Sequence, residues 1–296
     1  PRVVSKIRPD LLHCTSNTAP IHCPVPLVLT LHDIIFLEPR QGGNRSWYQN
    51  MGWYYRRMVV PRILSQCEKI ITVSHFECNR IREALQLPKD KITAIYNGYS
   101  EHFRPLSETL SITRKYIDDD DYIFFLGNTD PKKNVARTLK AYSLYLKQSD
   151  KKRPLLIADL SKDKLDAILR EQQIEEIKPY LSYPGYIPNK DLAYLYNGAF
   201  VFLYTSLRES FGIPMLEAMA CGTPVITGNT SAMPEIAGEG GILVNSLNAK
   251  EIAEKILYLE QDQIFYQNQI KYGLNRVQKF SWAQTAENLL SLYKTI

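Results

Sequence analysis

The chain has 296 residues, 45% of them hydrophobic and 23% charged, an ordinary globular mixture that excludes a disordered chain. No uncharged apolar run approaches the ~18 residues of a membrane span, so the sequence reads as soluble. The formal net charge of +5 is too small for a nucleic-acid partner, and its surplus lies early. Residues 1–110 carry fourteen Lys and Arg against nine Asp and Glu, whereas the remainder has twenty-two of each.

In chain order, the first folded stretch is 3–12, followed by a strand at 27–31 and an amphipathic helix at 46–64. A strand at 69–73, a helix at 76–85 and a strand at 92–95 come next. After a polar stretch, the series resumes with a strand at 122–126, a helix at 134–148, a strand at 154–158 and a helix at 162–171. It continues with a helix at 190–197, strands at 200–204, 223–227 and 241–244, and a helix at 249–259. Short, nearly all-apolar strands separated by helices predict βαβ units, whose parallel sheets are buried on both faces. The best internal boundary lies near 100–120, where Phe103, Arg104, Pro105 and Leu106 end one series and the acidic run 118–121 precedes the next. That run reads as a solvated turn before a strand, not as a metal-binding Asp-x-Asp.

Cys14, Cys23, Cys67, Cys78 and Cys221 are odd in number and lack framework spacing, which points to reduced thiols and a cytoplasmic setting. His13-Cys14 and His22-Cys23 stand too far apart for a structural zinc knuckle, with Pro20 between them, so no metal is expected.

Chemistry concentrates in segment 208–226. It reads as strand end, loop, helix and strand, with Pro214 suited to the first helical turn and Gly222 to the position just past the helix end. A helix N-terminus behind Ser210, Phe211 and Gly212 would attract phosphate, and Gly212 would let a ligand approach the backbone closely. Glu209 and Glu217 stand eight residues apart, one in the loop and one a turn into the helix. Each carboxylate could accept two hydrogen bonds from vicinal hydroxyls, which suits Glu217 to a ribose and Glu209 to a sugar. Either one alone could also be a charge favoured at a helix start.

This Glu-x7-Glu segment resembles the signature of the retaining GT-B glycosyltransferases of family 4, the group that includes bacterial surface-polysaccharide mannosyl- and glucosyltransferases. Further stretches agree in order. Gly127, Asn128, Asp130, Pro131, Lys132, Lys133 and Asn134 resemble the loop after the first strand of the family's second domain. Gly185, Tyr186 and Ile187 resemble the loop bordering the nucleobase, and 228–235 and 240–244 follow as in the family. Leu31-His32-Asp33, 71–74 and Tyr96-Asn97-Gly98 match in the first part, and Phe280-Ser281-Trp282 matches the start of the family's terminal helix.

The resemblance implies an α/β GT-B fold of two doubly wound Rossmann-like domains facing across a cleft. Residues 1–110 would form the acceptor-side domain, shorter than the family's and therefore expected to be N-terminally partial. Residues 111–279 would bind the nucleotide-sugar donor, and 280–296 would be a terminal helix crossing back. By position, Lys133 would hold the donor diphosphate. Many members carry Arg where this chain has Asn128, and Lys132 stands where a subgroup has Arg, which leaves the second phosphate clamp open. Glu209 would contact the donor sugar, and the N–H groups of Ser210, Phe211 and Gly212 the sugar or phosphate. Glu217 would take the ribose, the backbone of Tyr186 and Ile187 the base, and His32 the sugar and leaving oxygen from the other domain.

The implied reaction moves a hexose from a GDP- or UDP-sugar to a glycan or lipid-linked acceptor with retention, in surface polysaccharide or lipopolysaccharide synthesis. No cofactor is expected beyond the donor substrate. No Asp-x-Asp stands at a strand end, so the leaving charge would fall to Lys133, its cationic neighbours and the helix N-terminus. A non-catalytic nucleotide-sugar-binding chain or fragment is the alternative. Segment 44–57, with Trp47, Trp53, Tyr54 and Tyr55 among Arg45, Arg56 and Arg57, has the composition of an interfacial helix. It reads better as a cleft-lining helix with aromatics packed inward, since Gly52 and polar interruptions weaken its amphipathic pattern. Peripheral contact at the inner face of a membrane through the basic N-terminal domain is the other reading.

Overall fold

The computed structural model describes residues 1–38, 47–128 and 130–296. Asn44, Arg45 and Ser46 of the aromatic, basic segment lie outside the described residues, as does residue 129 of the first loop. The chain divides into two compact units, Pro1–Asn97 with Ala283–Ile296, and Gly98–Trp282.

The first unit holds a four-stranded parallel sheet of β1 (Leu12–Cys14), β2 (Leu27–Thr30), β3 (Cys67–Thr72) and β4 (Ile92–Ala94), in that spatial order. All four residues of β2 are buried, because both of its faces are covered. Leu27, Leu29 and Leu31 face one core with Ile63, Ile70 and Ile81. Val28, Ile71 and Ile95 face the other, where Leu289, Leu292 and Tyr293 of the terminal helix Trp282–Tyr293 pack. Ser74 caps the helix His75–Leu85 by accepting the Glu77 N–H at 3.2 Å. β1 is absent from the sequence-based elements: it has three residues and lies at the sheet edge.

The helix Trp47–Leu64 buries Val59, Val60, Ile63 and Leu64 at its end. Inward packing of its aromatics is the expectation that fails. Trp53 packs against the core with Arg57 4.4 Å from its ring centre, but Trp47, Tyr54 and Tyr55 are exposed, as are Met51 and Met58.

The second unit holds a six-stranded parallel sheet. Its strands are β5 (Tyr122–Leu126), β6 (Leu155–Ala158), β7 (Leu181–Gly185), β8 (Ala199–Tyr204), β9 (Val225–Gly228) and β10 (Gly241–Val244), in the spatial order β10-β9-β8-β5-β6-β7. The central strands are apolar throughout, and Tyr122, Ile123, Phe124 and Phe125 are at most 2% exposed. Strand order reverses between β5 and β8, which pair side by side. Such a switch point opens a crevice beyond the C-terminal strand ends, where α/β sheets bind ligands. At the opposite end, the buried Arg153 joins Asp121 and Glu260, each at 2.5 Å. The acidic run is thus more than a solvated turn: Asp121 pairs with Arg153 and Asp120 with Arg114.

The five cysteines are free thiols, three of them buried. His13, considered beside Cys14 as a metal candidate, gives its ring nitrogens to Tyr293 at 2.5 Å and Thr30 at 2.8 Å.

Candidate active site

Two loops leave the switch point, one after β5 and one after β8. In the first, the Asp130 carboxylate accepts the Lys132 N–H at 3.0 Å and starts the tight turn Pro131–Lys133. The Asn128 side chain serves this loop too, accepting the Asp130 N–H at 2.8 Å. Asn134 ends the turn in the left-handed region (φ 59°), a conformation Asn tolerates better than most residues. Its buried amide donates to the carbonyls of Thr205 at 3.0 Å and Ser246 at 2.7 Å. The Leu207 N–H donates to the Lys132 carbonyl at 2.7 Å, so the two loops are tied directly.

The second loop is fastened from its far side by 230–232. Ser231 Oγ accepts the Glu209 N–H at 3.0 Å, and Thr230 Oγ1 donates to the Leu207 carbonyl at 3.0 Å. Both loops are therefore held before their charged side chains meet. Lys133 Nζ donates to Glu209 Oε1 at 2.8 Å, and the two side chains are only 16% and 11% exposed. A charge-assisted bond of this kind is stronger when partly withdrawn from water. The ammonium also lies 5.0 Å from the ring centre of Tyr204, the last residue of β8. Burial, and then the charge of Glu209, pushes the Tyr204 phenol well above its ordinary range.

Behind the second loop, Gly212 (φ 106°) caps the helix Ile213–Ala220, with Pro214 in its first turn and Gly222 (φ 80°) just past its end. A Cβ on Gly212 would lie 2.6 Å from Met215 Cε. Phe211 is buried edge-on against Phe280, and Ser210 is half-buried. Glu217 projects from this helix and receives a long hydrogen bond, 3.4 Å, from the Tyr196 hydroxyl. Burial pushes the Glu217 carboxyl up to about 7, with the Tyr196 hydroxyl partly opposing it. The Tyr204 phenol feels the charge of Glu209 and, more weakly, that of Glu217.

The third loop follows β7, where Gly185 (φ 82°) accepts the Asp159 N–H at 2.8 Å. Tyr186 is 78% exposed and Ile187 is buried. A cavity of about 570 Å³ opens beside the first loop, and Asn128, Asp130, Arg137, Lys140 and Lys164 are among its lining residues, but Lys133 and Glu209 are not. Lys132 is half-buried, and its backbone carbonyl is the acceptor for Leu207.

His32 belongs to the first unit and follows β2. Its Nε2 lies 3.0 Å from the Thr15 carbonyl, and its backbone N–H donates to Asn17 Oδ1 at 2.8 Å.

Of the residues singled out from sequence, Lys133 and Glu209 are in direct contact, whereas Glu217 pairs with Tyr196. Sequence reasoning missed Tyr204, Tyr196 and the tying role of Asn134. The available signal was an apolar strand whose last residue carries a hydroxyl at its C-terminal end.

Residues 110–276 match the family described as glycosyl transferases group 1, and residues 1–102 match glycosyltransferase family 4. The chain is 29% identical over 273 residues to O-antigen chain mannosyltransferase B of Escherichia coli, a match covering 91% of this chain and 70% of that protein. It is 27% identical to serotype-specific mannosyltransferase WbdA of Escherichia coli, covering 96% of this chain and 36% of WbdA. The chain thus spans about a third of WbdA. Among solved structures, HepE from Anabaena in complex with UDP has a TM-score of 0.79 at 18% identity, covering 100% of this chain and 81% of that one. WaaG, a glycosyltransferase involved in lipopolysaccharide biosynthesis, has a TM-score of 0.72 at 11% identity, covering 99% and 80%. At these identities the likeness establishes the fold, which is GT-B.

Proposed function

The chain belongs to the glycosyl transferases group 1 family, and from that membership we propose that it moves a hexose from a GDP- or UDP-sugar to a glycan or lipid-linked acceptor, with retention and without a metal. The mannosyltransferase relatives support mannose as the hexose and O-antigen or related surface polysaccharide as the product.

The observation that carries the reading is the Lys133–Glu209 pair, held at 2.8 Å by two tied loops beyond the switch point. A diphosphate entering there would compete with Glu209 for the ammonium. Lys133 then neutralises charge as it develops on the leaving oxygen, assisted by Lys132 and the N-terminus of Ile213–Ala220. The freed Glu209 accepts hydrogen bonds from the donor sugar. Ser210, Phe211 and Gly212 present backbone to sugar and phosphate, Glu217 takes the ribose hydroxyls, and the backbone of Tyr186 and Ile187 borders the base. The acceptor hydroxyl attacks the anomeric carbon on the face the diphosphate leaves. The bond to the diphosphate breaks as the new glycosidic bond forms, and the departing oxygen takes the hydroxyl proton.

We place this reaction in the cytoplasm at the inner face of a membrane, where a lipid-linked acceptor would be presented. The exposed Trp47, Met51, Tyr54, Tyr55 and Met58, close in sequence to Arg56, Arg57 and Arg62, support that placement. Flotation with anionic liposomes should retain the protein, and equal recovery with neutral and anionic vesicles would remove this part of the proposal.

A thermal-shift series with UDP- and GDP-sugars tests donor binding, since a ligand of the native state raises its melting temperature. Lys133→Met and Glu209→Gln should each lower kcat by at least about a hundredfold with the fold intact. Turnover like that of the unaltered protein in both variants would overturn the site.

A further inference from the structure

The cavity of about 570 Å³ opens between the helices Val135–Leu146 and Lys162–Gln172. Leu139, Tyr142, Leu165 and Leu169 of these helices cover the sheet face that presents Ile123 and Phe125. Glu217 and Lys133 lie on the other face. Tyr196, which donates to Glu217, packs on Phe124 and Phe202. The Lys133 ammonium lies over the ring of Tyr204, which in turn meets Phe202. Successive strand residues point to opposite faces, so the sheet itself separates this cavity from the donor crevice.

Its walls combine positive charge with apolar surface. Arg137, Lys140 and Lys164 line it, and Asp130 supplies the only carboxylate among the lining residues, so two positive charges are in excess. None of the three cations has an acidic partner among the described residues. Arg137 Nη1 donates to Asn134 Oδ1 at 3.2 Å, which orients the guanidinium at the wall and leaves its other N–H groups for a ligand. Val135, Ala136 and Arg137 form the first turn of their helix, so their N–H groups lack intrahelical acceptors and add partial positive charge. Val135, Leu160 and Ile168 supply the apolar surface.

We infer that this cavity binds a small phosphate monoester, with the phosphate held by Arg137, Lys140 and Lys164 and the organic group against Val135, Leu160 and Ile168. A phosphate monoester carries about −1.5 to −2 charge near pH ~7, the counterpart of the two cations left unneutralised. A carboxylate or a sulfate monoester brings only one negative charge. The volume of about 570 Å³ falls within the roughly 300–1,000 Å³ of small-molecule sites and is far more than inorganic phosphate fills. The planar guanidinium of Arg137 suits two phosphate oxygens at once, and the lysines act as point charges. Neither Lys133 nor Glu209 contributes, so the ligand binds independently of the donor sugar.

Phenyl phosphate is a suitable probe because it joins a dianion to an apolar ring, and thermal shift with calorimetric titration reads its binding without turnover. It should raise the melting temperature more than phenyl sulfate, a monoanion of similar shape, and more than inorganic phosphate, which lacks the ring. Lys140→Gln combined with Lys164→Gln, at two exposed helix positions, should weaken binding at least about tenfold. Ala167→Glu, also exposed, brings a carboxylate into the lining and should abolish binding. Lys133→Met, on the opposite face, should leave it unchanged. No binding of phenyl phosphate by the unaltered protein, or undiminished binding by both cavity variants, overturns the proposal. Loss of binding in Lys133→Met would put the probe in the donor crevice and overturn it as well. Inorganic phosphate binding as tightly as phenyl phosphate overturns the assignment of an organic group to the cavity.

Discussion

Replacing Glu217 with Gln should make the second unit more stable at alkaline pH while weakening its hold on the donor. The carboxyl is half-buried on the helix Ile213–Ala220, and the 3.4 Å bond from Tyr196 is too long to offset the lost hydration. Its native value is pushed up to about 7, against an ordinary value near ~4.5 in the unfolded chain. Below both values the two states are protonated alike, and Glu217 has no effect on stability. As pH rises between them, the unfolded chain releases the proton while the native state keeps it, so stability falls. The loss reaches about 3 kcal/mol above pH ~8, and less than about 1 kcal/mol of it has developed at pH ~5. Gln has no proton to release and removes this slope. The stability advantage of Glu217→Gln over the unaltered protein should therefore grow by roughly 2–3 kcal/mol from pH ~5 to pH ~8, or roughly 4–12 °C in the Tm of a unit this size. Scanning calorimetry at the two pH values measures it. In the donor complex the effect reverses, because ribose hydroxyls satisfy an ionised carboxylate better than an amide, and donor KM should rise with little change in kcat. A stability difference that is the same at both pH values would refute the burial argument.

Gly212→Ala places a Cβ 2.6 Å from Met215 Cε at φ 106°, and should cost roughly 1–3 kcal/mol in denaturant melts. Adding Met215→Ala removes the clash but not the backbone strain, so the double variant should fall short of the Met215→Ala single. Arg153→Met leaves the buried Glu260 carboxylate without its cation, which should cost roughly 3–5 kcal/mol in urea unfolding. Arg153→Met with Glu260→Leu should recover most of that, and a single substitution costing under about 1 kcal/mol would contradict the pairing.

Much of the strand pattern was legible because a parallel strand buried on both faces must be apolar along its whole length, as Tyr122–Leu126 and Leu155–Ala158 are. The strands that escaped notice lie at sheet edges. Leu181–Gly185 carries Ser182 and Pro184, which an edge strand with one neighbour tolerates and a central one would not. The helix Gln263–Val277 was also missed, since it buries only Gln269, Gly273 and Val277 and shows no broad apolar stripe. The meeting of Lys133 with Glu209 is a different matter. Seventy-six residues separate them, and nothing local indicates that β5 and β8 are neighbours. That adjacency comes from the order reversal of the sheet, a property of topology. The family resemblance singled out both residues by position without revealing that each is the other's partner. Tyr204 and Tyr196 act through burial and charge, which no motif records.

The return of residues 283–296 to the first unit sets an order of events on the ribosome. The second unit is one unbroken stretch and can fold as it emerges, as domains generally do. The first unit must wait. Its strip of Val28, Ile71 and Ile95 has no cover until Leu289, Leu292 and Tyr293 have been synthesised. Between the synthesis of residues 1–97 and that of residues 283–296, the first unit exposes an apolar seam to whatever chaperone surface is nearby.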